Sequence, residues 1–379
     1  GMGSGVNVCV AHKLGMGDDD GVRTTVCSSL AICAATGVIV GAVCFALARP
    51  FLALLGTKDE LIDGAVLYLK IYALGMPAMA VYNFGNGVLS AAGETRKPLM
   101  YLTIAGILNV ILNLFFVIAC HRAADGVAIA SVIAQCLSAG LAVRHLLMRK
   151  DTCALKCSRQ YMKRSACMNV ISMGVPAGIQ NAIFAVANLF VQRGVNSFDA
   201  VMVSGNSAAA NADTIIYNVM AAFHTACASF VSRNWGAGNR KRILKSYFIS
   251  LSYSFLSGAI LGGLLLAFGR QFLALFANEP EVISAGLYRI RIMGWSYAVS
   301  AFMDCTIAAS RGIGKSVAPT VIVILGSCVF RVLWVYTVFA YFKTIPSLYL
   351  LYVFSWTITA AAEIFYFMRS YHAMGATQK

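Results

Sequence analysis

Pro98–Ala119 reads PLMYLTIAGILNVILNLFFVIA, a stretch without a charge, entered through Arg96 and Lys97 and left through His121 and Arg122. A helix rises 1.5 Å per residue, so a run of this length spans roughly the 30 Å hydrocarbon core of a bilayer. No water is present there to satisfy a bare backbone, so only helices and closed barrels cross it. Barrel strands are about half as long and alternate in polarity, which this run does not. Working outward, similar runs bounded by Gly, Pro and charge lie near 24–48, 64–90, 125–148, 167–193, 200–232, 243–267, 284–310, 316–341 and 346–368, with a partial one at 1–14. The reading is an all-α membrane protein of about eleven helices. The runs at 64–90 and 200–232 are long enough that they must tilt, bend or project.

Composition agrees. Of 379 residues, 59% are hydrophobic and 12% charged, with a mean hydropathy of +0.74, whereas soluble domains carry roughly a quarter charged residues. The net charge of +15 does not mark a nucleic-acid binder. The basic residues sit in short segments between apolar runs, and none is interleaved with aromatics as a single-strand groove requires. Most of the 12 cysteines, Cys27, Cys33 and Cys227 among them, lie inside apolar runs, where the thiol is a small hydrophobe. Cys153 and Cys157 share a loop but lack the further ligands a zinc site needs, so no metal is expected.

Assigning loops alternately to the two faces puts twenty basic residues on one side, including Lys156, Arg159, Lys163, Arg164 and the C-terminal Lys379, against nine on the other, including Lys58 and Arg289, with Arg331 alone inside a span. The richer side is the cytoplasmic one, which makes this a multi-pass protein of the cell inner (plasma) membrane with its C-terminus inside. Laid over itself, the chain repeats. Arg49-Pro50-Phe51-Leu52-Ala53-Leu54-Leu55 meets Arg270-Gln271-Phe272-Leu273-Ala274-Leu275-Phe276 and Gly15-Met16-Gly17 meets Gly236-Ala237-Gly238, both at an offset of 221, while Gly93-Glu94-Thr95-Arg96 meets Gly312-Ile313-Gly314-Lys315 at 219. The repeat is parallel and predicts two six-helix lobes: an N-terminal lobe over 1–148, a basic cytoplasmic linker over 149–166 and a C-terminal lobe over 167–379. In this register the first helix and the start of the second helix of the first lobe are missing from the sequence. Two-lobe repeats are an architecture of secondary transporters, which bind substrate between lobes and expose it alternately.

Several motifs of the two halves resemble the multidrug and toxic compound extrusion (MATE) family. They are Ala92-Gly93-Glu94-Thr95-Arg96-Lys97-Pro98 and Asp125-Gly126-Val127-Ala128-Ile129-Ala130 in the first lobe. In the second they are Gly174-Val175-Pro176-Ala177-Gly178-Ile179-Gln180-Asn181, Gly236-Ala237-Gly238-Asn239-Arg240-Lys241-Arg242, Arg311-Gly312-Ile313-Gly314-Lys315-Ser316 and Arg331-Val332-Leu333-Trp334. The resemblance implies a two-lobe transporter that exports organic cations or drugs in exchange for protons or sodium, apparently lacking its first helix here. No cofactor beyond the coupling ion is expected. The expected partners are a cationic small molecule and the lipid bilayer, with the protein acting as a monomer.

An ionisable side chain inside a span costs at least about 2.5–3.5 kcal/mol on insertion scales, so each one calls for a reason. Asp213, Asp304, Arg331 and Glu363 stand out. Asn206, Asp213, Tyr217, Met220 and His224 recur at intervals of three, four and seven, forming one polar stripe suited to a water-filled cavity or to hydrogen bonding between helices. Asp304 lies seven residues before Arg311 and Glu363 six before Arg369, which gives the two acids a shared depth. If close, they resist ionising together, and one holds a proton. Arg331 stands roughly 22 Å above Ser316, so Asp213 is the expected acid partner. Gln180, Asn181, Asn188, Asn109 and Asn113 are candidates for cavity lining or helix contacts, and Tyr217, Phe184 and Trp295 offer faces for a flat cation.

Other function classes make different demands. A lipid-linked saccharide flippase of related plan calls for several basic residues inside the cavity, and an intramembrane enzyme for a nucleophile or metal cluster within spans; an inactive, truncated relative would also fit. The charge bias yields a direct expectation. A single Cys placed at Lys163, in a background without exposed cysteines, should resist a membrane-impermeant maleimide in intact cells and react after permeabilisation; labelling from outside would reject the topology.

Overall fold

In the computed structural model, which describes residues 1–54, 59–156 and 158–376, helix α1 (Met2–Met16) stops where Gly17 turns left-handed at φ 68° and returns its N–H to Leu14. Lys58, Cys157 and Lys379 lie outside the described residues. Asp18 opens α2 (Asp19–Ala46) by accepting from the Gly21 N–H at 2.8 Å, and it also receives Lys13 Nζ at 2.8 Å. After α3 (Ala48–Leu54) come α4 (Asp59–Leu74) and α5 (Met76–Ala91), two halves of one run bent by 44° at Gly75. The expected span 64–90 therefore bends. Helix α6 (Arg96–Leu114) finishes in a π-helical turn, Phe115–Ala119, and α7 (Ala124–Met148) follows. The linker holds a 3-10 turn at Arg159–Tyr161.

The chain continues through α8 (Arg164–Val195), α9 (Ala200–Gly236), α10 (Arg240–Leu273) and α11 (Pro280–Gly312). One further span, Val317–Phe342, is α12 (Val317–Val323), α13 (Phe330–Trp334) and α14 (Ala340–Phe342), separated by π-helical turns at Ile324–Val329 and Val335–Phe339. The last helix is α15 (Ile345–Ala376). Among the described residues, eight helices are long and apolar enough to cross a membrane, nine if the bent pair is one span. Helix α6 and its π turn bury only 6% of their most apolar window, with Leu102, Ile107, Val110 and Ile111 all more than half exposed. In water such a surface would be ruinous; in hydrocarbon it is the solvated one.

Two units divide the chain, Gly1–Val175 and Pro176–Lys379, with α8 passing from one to the other. In the first, Val6, Val10, Val22, Val26, Phe84 and Leu146 form a core that the linker completes with Cys153 and Leu155. The linker is stitched down by Cys27 Sγ to the Lys156 carbonyl at 2.9 Å and by Ser28 to the Tyr161 carbonyl at 3.3 Å. Between α5 and α6, Glu94 receives His145 at 3.3 Å and Arg149, which also clasps Asp151. Burial works against the Glu94 charge, but the bonds from His145 and Arg149 outweigh it and hold the carboxyl below its ordinary range.

The internal repeat is written in the backbone. The glycines with positive φ among the described residues pair as Gly17 with Gly238 and Gly93 with Gly314, each pair 221 apart. Leu47, the break after α2, matches Phe268, the non-helical kink inside α10, at the same offset. The register of 219 expected around Gly93 is thus corrected to 221: Gly314 is the equivalent of Gly93, because the left-handed cap and not the flanking charge defines the turn. At Gly93 a Cβ would meet nothing within 4 Å, whereas at Gly314 it would lie 2.7 Å from the Trp235 ring. Gly93→Ala should therefore cost only the left-handed backbone penalty, about 1–2 kcal/mol. Gly314→Ala should lower the thermal midpoint in detergent visibly further; equal losses would deny the Trp235 contact.

Candidate functional site

Helix α11, missing from the set of membrane-competent helices, carries Arg289, Asp304 and Arg311, which no lipid-facing helix could afford. It survives because it is the buried axis of its unit, packed against α9, α10 and α15. Glycines make the approach close: a Cβ on Gly205 of α9 would sit 2.7 Å from the Gly286 nitrogen of α11.

Three polar clusters lie in this unit, the first and third of them built on this axis. In the first, Arg289, only 7% exposed, donates to Asn206 and to Asp213, and the Tyr297 hydroxyl donates to the other Asp213 oxygen. Tyr349 donates to Asn206 at 2.7 Å, and its ring lies 5.3 Å from the guanidinium. In the second, Arg331 is buried, and no carboxylate among the described residues lies on it. It reaches Asn188 at 3.1 Å and Ser355 at 3.3 Å, caged by Tyr352, Phe184 and Trp356 at 4.7, 5.2 and 5.9 Å from their ring centres. In the third, Arg311, also buried, donates to Gln180 at 2.8 Å and lies within electrostatic reach of both Asp304 and Glu363. His224 Nδ1 donates to the Asp304 carbonyl at 2.9 Å, which fixes its tautomer and leaves the Asp304 carboxylate free of that ring. Asp304 is half-buried, and no described side chain bonds its carboxylate; Glu363 is fully buried, and neither of its oxygens has a partner among the described residues.

A profile of the MatE family matches residues 1–115 and 176–337. The chain belongs to the MatE family. Its relatives in this family of membrane transporters include Probable multidrug resistance protein YpnP of Bacillus subtilis (strain 168), 24% identical over 297 residues, 78% of this chain and 66% of that protein. Another is Probable multidrug resistance protein NorM of Thermotoga maritima, 22% identical over 348 residues, 89% of this chain and 74% of that protein. A solved outward-facing structure of a multidrug resistance MATE family transporter superposes with a TM-score of 0.90 at 18% identity, covering 99% of this chain and 84% of that one. At such identity the likeness shows the two-lobe fold alone.

Seen as a MatE chain, the polar stripe divides. Asn206 and Asp213 are bound into the Arg289 cluster, Met220 is buried, and Tyr217 is 61% exposed. Arg331 does not pair with Asp213, contrary to expectation, because Arg289 has taken that carboxylate. Gln180 joins Arg311, whereas Asn181 is exposed, and Asn109 bonds Asn113 at 3.1 Å and Ser131 at 3.4 Å, stapling α6 to α7. Nor is Arg331 alone within a span: counting Arg289 and Arg311 as helix-end charges missed two buried guanidiniums. The available signal was the spacing of Tyr297, Asp304 and Arg311, seven apart and so on one face of α11. Asp213→Asn leaves Arg289 buried with weaker partners and should lower the stability of the second unit by about 1–3 kcal/mol, read as a drop in thermal midpoint in detergent. An unchanged midpoint would refute a structural role for the pair.

Proposed function

We propose that this chain works as an antiporter that exports small organic cations in exchange for protons, by alternating access of its two lobes, with Asp304 as the carboxylate that meets the substrate. The observation behind this reading is the contrast between acids. Asp213 is satisfied by Arg289 and Tyr297, while the half-buried Asp304 carboxylate has no bonded partner. A cation arriving at such a group becomes its counterion, and an exposed aromatic nearby, Tyr217, gives it a face to stack on. The multidrug resistance names of the Bacillus and Thermotoga relatives support the substrate class. Protons are favoured over sodium because Arg311 and Arg331 both lie within reach of Asp304. The reading extends to the plasma membrane, a cytoplasmic C-terminus and a monomer.

Everted vesicles test this directly. With a proton gradient imposed, dye efflux should be abolished in Asp304→Asn while membrane insertion is unchanged, since the amide keeps the volume and removes the charge. Normal gradient-driven transport by Asp304→Asn would sink the assignment.

A further inference from the structure

Ile307 of α11, Val323 of α12 and Ala360 of α15 join Met303 in an apolar plug, with Phe184, Phe302 and Trp356 packed on it. Helix α11 ends at Gly312, α12 begins at Val317 and α15 runs on to Ala376. The same end of the bundle is thus reached by going forward from Ile307, back from Val323 and forward from Ala360. One helical turn in those directions brings Arg311, Thr320 and Glu363 to a common level beyond the plug. All three are buried, at 5%, 5% and 0% exposure. Among the described residues, the Arg311 Nε, the Thr320 hydroxyl and both Glu363 oxygens lack hydrogen-bond partners.

A carboxylate sealed in such a place without a donor is expensive to leave ionised, and taking a proton is the ordinary remedy. The groups around it decide when. From α11 it faces Arg311 and, farther up the same face, Asp304; α13 contributes Arg331, whose field falls on Asp304; α8 contributes the neutral Gln180; Val317–Val323 carries no charge. On its own helix the next charge is the exposed Arg369. Asp304 therefore has two cations within reach, Glu363 has one, and that one, Arg311, is shared.

We propose that proton and organic cation are carried on different carboxyls of this lobe, the proton on Glu363 and the cation at Asp304, with Arg311 as the link between them. While Asp304 is ionised it draws on the charge of Arg311, and Glu363 keeps its proton. A cation docking at Asp304 neutralises that demand, Arg311 then favours the Glu363 carboxylate, and the Glu363 O–H bond breaks as the lobe rocks and admits water to that end of the bundle, the proton passing to that water. Return of a proton reverses the sequence and loosens the cation. The scheme rests on the reading of Asp304 above, and it differs from competition at a single acid in that substrate and proton never share an atom.

The test uses the purified chain in lipid nanodiscs with ethidium as the probe. Wild type should release roughly one proton per ethidium bound, and its Kd should weaken from about pH 8 to about pH 6 by roughly five- to 150-fold, the usual span of coupling between two sites. Glu363→Gln should still bind ethidium but release no proton, with a Kd flat in pH, and Glu363→Asp should restore both. Proton release persisting in Glu363→Gln would overturn the proposal in favour of a single shared acid. Infrared spectra need no substrate: the protonated-carboxyl band at neutral pH should vanish in Glu363→Gln, shift in Glu363→Asp and survive in Asp304→Asn. A band indifferent to both Glu363 variants would overturn the proposal by itself. Loss of ethidium binding is expected in Asp304→Asn; retained binding there, with the band still assigned to Glu363, would refute the substrate reading and leave Glu363 as the proton carrier.

Discussion

The ion pair between Arg289 and Asp213, closed by Tyr297 and Asn206, ties α11 to α9 and lets a charged helix stand inside a membrane bundle. Lipid would reject α11 by composition, so it has to be enclosed, and enclosure requires that its neighbours come close and answer its polar groups. Gly205, Gly262, Gly286 and Gly294 supply the proximity; Asn206, Gln180, Tyr349 and Asp213 supply the answers. The remaining helices can then be what their sequences suggest, apolar rods with a lipid-facing side.

This division of labour explains why some features were legible in the sequence and others were not. A lipid-facing helix such as α6 announces itself, because its solvent imposes one chemistry over some twenty residues. The bend at Gly75 was foreshadowed by an overlong apolar run. The partnership of Arg289 with Asp213 was invisible, since it depends on how α9 and α11 cross, and 76 residues separate the two. Charge counting by loops assigned Arg289 and Arg311 to the two faces, a reasonable treatment of helix ends and a wrong one for side chains buried against α9 and α8. Glu363 was noticed for its depth, but its isolation from every donor emerges only once α12 and α15 are packed on α11.

The two acids of the third cluster differ in a way that bears on transport. Asp304 is half-buried and lies within electrostatic reach of two guanidiniums, Arg311 and Arg331. Glu363 is fully buried, its oxygens have no bonded partner among the described residues, and one guanidinium, Arg311, lies within its electrostatic reach.

The left-handed glycines have a further consequence. Turns kept at a constant offset of 221 in both halves are what a duplicated ancestral segment leaves behind when its geometry is held and its chemistry released. At that same offset Asn83, Ser90, Val110 and Ala142 occupy the places of Asp304, Arg311, Arg331 and Glu363. One copy of the chassis has kept, or acquired, these four ionisable groups, and the other has none of them. The symmetry of the fold therefore outlived the symmetry of its labour, and the second copy became the specialist.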